Sequence, residues 1–183
     1  MFIEILQRCT KHLFFISIVF ILIGCSNESP KEAIDNRWSG ELDVHEIISK
    51  KEITYGTVVL FSAYNVDEND ALERVGVALL AKHSDSNWEV IDTTVESVEN
   101  DSFAAHHKIV HIENGKGKET EIPIAFGKVE DKRVSSITAR VNNKVEKIEI
   151  LPINSGRYFY KLNAWGPIKA LDENGEVMEQ YGS

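Results

Sequence analysis

Positive charge is the first thing this 183-residue chain is short of, with 20 Lys and Arg against 29 Asp and Glu and a formal charge of −9. Holding a phosphate backbone takes clustered cations, so nucleic acid is not an expected partner. A bilayer-spanning run is missing too. The apolar stretch Leu13 to Ile23 falls well short of the roughly 20 residues that a helix rising about 1.5 Å per residue needs to cross hydrocarbon. Catalytic signatures are lacking in turn. No serine is followed three places on by lysine, no G-x-S-x-G elbow occurs, and His45-Glu46 leads to Ser49 where a zinc protease helix needs its second histidine. Gly115 and Gly117 sit in a polar turn between expected strands, the wrong context for a dinucleotide-binding loop. Cysteine is scarce as well: Cys9 and Cys25 are all there is.

What is present begins with LFFISIVFILIGC, Leu13 to Cys25. Arg8, Lys11 and His12 precede an apolar core of the length that marks a secretory signal. Its end, Leu22-Ile23-Gly24-Cys25, resembles the lipobox of bacterial lipoproteins, with a small residue directly before the cysteine. The resemblance implies that signal peptidase II recognises Leu22, Ile23 and Gly24, that the Cys25 thiol carries diacylglyceryl, and that the mature chain starts there. It implies further that no cysteine remains for a disulfide or for thiol catalysis. Each buried methylene contributes about 0.8 kcal/mol and two chains anchor stably where one does not, so the expected location is the extracytoplasmic face of the cell membrane. Losing Arg8, Lys11 and Glu4 leaves the mature part more acidic still, so anionic lipid would repel it and the acyl chains would do the holding.

Hydrophobic residues make up 43% of the chain, enough to build a packed core and to set aside global disorder. Ser26 to Asn36, small and polar with Pro30 inside, reads as a flexible tether. Asp43 to Lys51 reads as a short helix, because Val44, Ile47 and Ile48 share a helical face and Asp43 and Glu46 resemble a capping box. Thr57–Tyr64, Val75–Ala81 and Trp88–Val98 are rich in β-branched residues and separated by turns, which predicts an antiparallel meander. Phe103–Ile112 is compatible with helix or strand, and Glu121–Val129 returns as a strand with Thr120, Ile122, Ile124 and Phe126 on one face. Val134–Val141 and Val145–Leu151 form a hairpin across Asn142-Asn143, two residues that tolerate positive φ. Strands over Arg157–Leu162, Trp165–Leu171 and Glu176–Tyr181 complete the chain.

The expected fold is therefore mainly β, antiparallel meanders or a sandwich with one short N-terminal helix packed on the first sheet. Its expected divisions are a signal peptide at 1–24, a lipidated tether at 25–37, a helix with a meander at 38–122 and a small sandwich-like subdomain at 123–183. TVVLFSAY, VGVALLAK and GRYFYKLNAWGPIKALDENGEVME together resemble small lipoproteins of low-GC, spore-forming bacteria, a likeness that implies location and carries no activity.

Three constellations are candidates for chemistry. His106, His107 and His111 are candidate metal ligands if Phe103–Ile112 is helical, since His107 and His111 would then stack one turn apart. In a strand they would lie about 13 Å apart, too far to share an ion. Asp67, Glu68, Asn69, Asp70 and Glu73 form an acidic cluster, but an EF-hand starting at Asp67 would need Gly and Glu where Leu72 and Ala78 stand. Arg157, Tyr158, Tyr160 and Trp165 form a candidate surface for an envelope protein or polymer, weighed against burial in the core. No cofactor is expected. The function these readings support is a lipid-anchored extracytoplasmic binding module. The alternative is an envelope-acting hydrolase using carboxylates or a histidine-bound metal, distinguished by whether such side chains converge in a cleft.

Overall fold

Ser29 opens the described fold by capping a helix. Its side chain accepts from Glu32 N while the Glu32 carboxylate accepts from Ser29 N, and Pro30 fills the first turn, where its missing N–H costs no bond. This helix, α1 (Pro30–Arg37), replaces the greater part of the expected tether. The computed structural model describes residues 29–66, 72–84, 87–98, 103–114 and 118–182; the lipobox residues, the acidic run 67–70 and the tip of the Asn114–Gly117 turn lie outside these. Among the described residues α1 is the one α-helix, so the expected short helix exists but eight residues long and earlier than Asp43.

The stretch read as helical, Asp43–Lys51, lies instead in strand β1 (Leu42–Ile53). Two register shifts against its partner, between Val44 and Glu46 and between Ile47 and Ser49, explain the misleading period. A bulge adds a residue to one strand. With His45 as that extra residue, Val44 and Ile47 pack on the same core while Ile48 goes to the opposite one. Spacing of three, normally a helical sign, is here a strand with a bulge in it.

Strands β1, β2 (Gly56–Asn65), β3 (Glu73–Lys82) and β4 (Trp88–Ser97) form the antiparallel meander, sheet A, in chain order. Sheet B has the order β5-β6-β10-β9, from β5 (Phe103–Asn114), β6 (Lys118–Val129), β10 (Gly156–Leu162) and β9 (Ile150–Ile153). Sheet C has the order β12-β11-β7-β8, from β12 (Val177–Tyr181), β11 (Ala164–Leu171), β7 (Ser136–Val141) and β8 (Lys144–Ile148). Asn142 and Asn143, at φ 51° and 64°, form the expected left-handed turn between β7 and β8. The expected strand Val145–Leu151 breaks at Glu149: β8 belongs to sheet C and β9 to sheet B. The expected boundary between 122 and 123 falls inside β6, which pairs with β5 on one edge and β10 on the other.

The result is a stack of α1, sheet A, sheet B and sheet C. Ala33 and Ile34 of α1 pack with Val59, Phe61, Ala78 and Leu80 on one face of sheet A. The opposite face, through Val58, Leu60, Val77 and Leu79, packs with Ile124, Phe126 and Tyr158 of sheet B. Sheet B's other face, through Phe103, Ala105, Ala125 and Phe159, packs with Ile137, Ala139, Ala164 and Ile168 of sheet C. Covered on both faces, β2 and β3 are continuous apolar runs instead of alternating ones. Each fully buried Val, Leu, Ile or Phe contributes about 1.5–3 kcal/mol, so the three interfaces carry most of the stability.

Candidate functional site

Strand alternation separates the three histidines. His106 turns towards sheet A, with Nδ1 4.0 Å from Glu96 Oε2 and its ring 5.7 Å from that of Phe126. His107 turns the other way, its Nε2 2.8 Å from the Ala164 carbonyl oxygen and its ring 5.2 Å from Trp165. A carbonyl only accepts, so Nε2 is the donor in this contact. His111 is exposed, with Nδ1 2.7 Å from Glu119 Oε1. The three rings thus have three different sets of neighbours, which corrects the metal-site expectation. Among the described residues no three His, Cys, Asp or Glu side chains are grouped to hold an ion.

The expected aromatic surface is also divided. Arg157 donates to the carbonyls of Asp131 (3.2 Å) and Val134 (2.6 Å), fastening the connection from β6 to β7. Tyr158 is fully buried and its hydroxyl donates to Glu73 Oε1 at 2.5 Å. Tyr160 accepts from Ser49 Oγ at 3.1 Å, also across the interface with sheet A. Of the four, Trp165 alone is exposed, at 41%. Arg157, Tyr158 and Tyr160 therefore join layers, which corrects their reading as a partner surface.

Trp165 leads to a site that sequence reasoning did not assemble. It pairs with Arg140 of β7, yet four residues later Lys169 pairs with Thr138, only two residues back. Two surplus residues therefore bulge from β11 beside Trp165, and a bulge next to a strand end re-aims side chains. The mouth so formed is a groove of about 780 Å³ lined by His107, Arg140, Asn143, Trp165, Gly166, Ile168, Tyr181 and Gly182. Tyr181, 44% exposed, supplies a second aromatic face. Directly opposed residues in an antiparallel pair share a face, so Arg140 and Trp165 leave the sheet on the same side. Among the described residues no Asp or Glu lines the groove, in a chain that has 29 of them. The geometry offers flat apolar faces, one fixed cation and the Asn143 amide, a set suited to orienting a ligand. The local signal that was legible was Trp165 itself; Arg140, Asn143 and Tyr181 carry no motif.

The strongest electrostatics lie elsewhere, inside the A–B interface. Lys128 Nζ is 2.5 Å from Glu73 Oε2, contacts Glu130 as well, and stands 5.6 Å from the Tyr158 ring centroid. Burial opposes the charge on Lys128, but hydrogen bonds to Glu130 and Glu73 outweigh it and raise the ammonium above lysine's ordinary value. Burial, helped by the bond to Glu73, pushes the Tyr158 hydroxyl up to about 12. Both shifts favour the protonated form, which suits a fixed structural pair and leaves neither group poised to act as a base near neutral pH. On the surface, side-chain and backbone hydrogen bonds from Arg133 lower the Asp131 carboxyl to about 2.

Among the described residues no helix is long and apolar enough to cross a membrane. Compared with family profiles, with curated proteins and with solved structures, the chain matches none.

Proposed function

We propose that the protein is a lipid-anchored extracytoplasmic binding module and that the groove between sheets B and C is its binding site. The anchor reading rests on the lipobox-like Leu22-Ile23-Gly24-Cys25. The binding reading rests on one observation: Trp165, Tyr181, His107 and Arg140 share a groove with no Asp or Glu side chain in its lining among the described residues. Elsewhere the acidic body repels anions, so a groove with arginine as its formal charge favours a ligand that is negative and has a flat face to stack. Within an envelope, an acidic glycan combines a carboxylate for Arg140 with a ring face for Trp165.

Titration calorimetry with a polyuronate and with a neutral polysaccharide of equal length tests this. The polyuronate binds the wild-type protein and the neutral polymer does not, and Arg140→Gln or Trp165→Ala weakens binding at least tenfold. Equal affinity of wild type and both variants would remove the groove from the account.

A further inference from the structure

The order of layers gives the anchored protein a direction. Cys25 precedes the helix cap Ser29 by four residues, and a chain covers at most about 3.3–3.6 Å per residue, so the backbone of the cap lies within about 14 Å of the backbone of an acylated Cys25. That is far less slack than an eleven-residue tether would give. Ser29 belongs to the outermost layer, because α1 packs on the face of sheet A that is turned away from sheet B.

Two of the chain's three tryptophans lie in that same layer. Trp38 follows α1 directly, with the Arg37 guanidinium carbon 5.8 Å from its ring centroid, and Trp88 begins β4 with Lys82 Nζ 5.5 Å from its ring. Both indoles pack on the helix-side core and both are partly exposed, while Arg37 and Lys82 are exposed. Arg37 and Trp88 share a hollow of about 320 Å³ with Ala33, Asn36, His83 and Val90. Two carboxylates of this layer are engaged by other groups, Asp35 by Lys31 and Glu89 by His83, both at 2.8 Å. An indole with an apolar body and a polar N–H, beside a long cationic side chain, is the pairing that settles at headgroup depth. The third tryptophan, Trp165, belongs to sheet C. Sheets stack about 10 Å apart, which places it roughly 20 Å or more farther along the stack.

We infer that the α1 face of sheet A is a lipid-contacting surface, seated on the phosphate level of the bilayer through Arg37, Trp38, Lys82 and Trp88, and that it holds the sheet C groove pointing away from the membrane. This inference rests on the anchor reading and adds an orientation to it. Its partner is the bilayer that carries the anchor.

The native tryptophans make the test. The full-length lipidated protein and its Trp165→Phe variant are purified from host membranes and reconstituted in phosphatidylcholine vesicles with or without a nitroxide on the headgroup. Emission of the variant reports Trp38 and Trp88, and emission lost between wild type and variant reports Trp165. The expected result is at least a twofold quenching of the variant by the nitroxide, with the Trp165 contribution unchanged. Reversing the exposed cations, Arg37→Glu with Lys82→Glu, relieves at least half of that quenching and leaves the circular dichroism spectrum unaltered. Equal quenching of both pools, or of neither, in a protein that floats with the vesicles overturns the orientation alone. A protein that does not float, with no diacylglyceryl mass on the Cys25 peptide, overturns the anchor reading and the orientation together.

Discussion

The two faces of sheet B are built differently. Towards sheet A the interface is crossed by side chain to side chain pairs: Glu73 with Lys128 and Tyr158, Ser155 with Glu46 at 2.7 Å, Ser49 with Tyr160, and Lys108 with Asp92 at 3.2 Å. Towards sheet C the core mixes Ala105, Ala125, Ala139, Ala164 and Ala170 with Phe103, Phe159, Ile137 and Ile168; the ion pair between the two sheets, Lys161 with Glu146 at 3.0 Å, is part-exposed, and His107 and Arg157 donate to backbone carbonyls. The first interface has charges that must meet their partners, so a shifted register would strand a buried ion. The second buries apolar side chains and keeps its ion pair at the surface, and it is the one that opens into the groove. Buried ion pairing is concentrated on one side of the middle sheet, and the groove on the other.

Removing Glu73 should break this contrast most severely. Glu73→Ala leaves Lys128 with Glu130 as its remaining carboxylate and Tyr158 with only the long bond to the Ser155 carbonyl at 3.4 Å, a loss of about 3 kcal/mol. It is read as a lower urea midpoint, and a cost no greater than that of an exposed carboxylate would show that the A–B network is ornamental. Gly127→Ala challenges the other side. An added Cβ there would collide with the Ala104 carbonyl oxygen and with the Phe159 ring 2.8 Å away, so overpacking of about 1–3 kcal/mol or more is expected in the same assay. Neutral behaviour would mean that the B–C sheets have room to move.

Alkali separates the two interfaces without mutation. Tyr158 has its folded value raised above the unfolded value of about 10, so from there upward the unfolded chain releases a proton that the native state keeps. Its contribution is intact below pH 10 and is lost as pH rises towards about 12; Lys128, also raised, acts in the same direction. Stability measured from pH 9 to 12 should therefore fall, and fall less steeply in Tyr158→Phe. Identical slopes would detach Tyr158 from the effect. Smallest is Ser29→Ala, which removes an N-cap acceptor and should cost about 1 kcal/mol, seen as a modest drop in midpoint. A value near zero would mean that α1 is held by Ile34 and its neighbours alone.

Much of the fold was legible because burial writes directly into the sequence. TVVLFSAY and VGVALLA are apolar on both faces, and both turned out to be covered by α1 on one side and sheet B on the other. Asn142-Asn143 announced its hairpin through backbone chemistry alone. Three features misled. The bulges in β1 gave Val44 and Ile47 a helical spacing. The S-P-K-E start of α1 was overlooked because its surroundings are polar, although serine, proline and glutamate stand where a capped first turn needs them. The change of sheet at Glu149 leaves no trace, since VEKIEIL alternates across the corner as it would within one strand. The groove was hidden for a further reason: His107, Arg140, Trp165 and Tyr181 come from four strands in two sheets and meet through tertiary packing and a bulge.

Over Ile124–Lys128, strand β6 has a hydrogen-bonded neighbour on each edge and a sheet on each face. The amides of that stretch are therefore reached by solvent only when the whole assembly comes apart, and they should be the last to take up deuterium, at a rate that reports global opening. The neighbours β5 and β10 that enclose it lie before and after it in the chain, with a complete sheet C hairpin intervening before β10. A polypeptide emerging from its amino terminus thus leaves β6 half-finished until nearly all of it has been delivered, and an interrupted copy would display that sticky edge to chaperones and proteases.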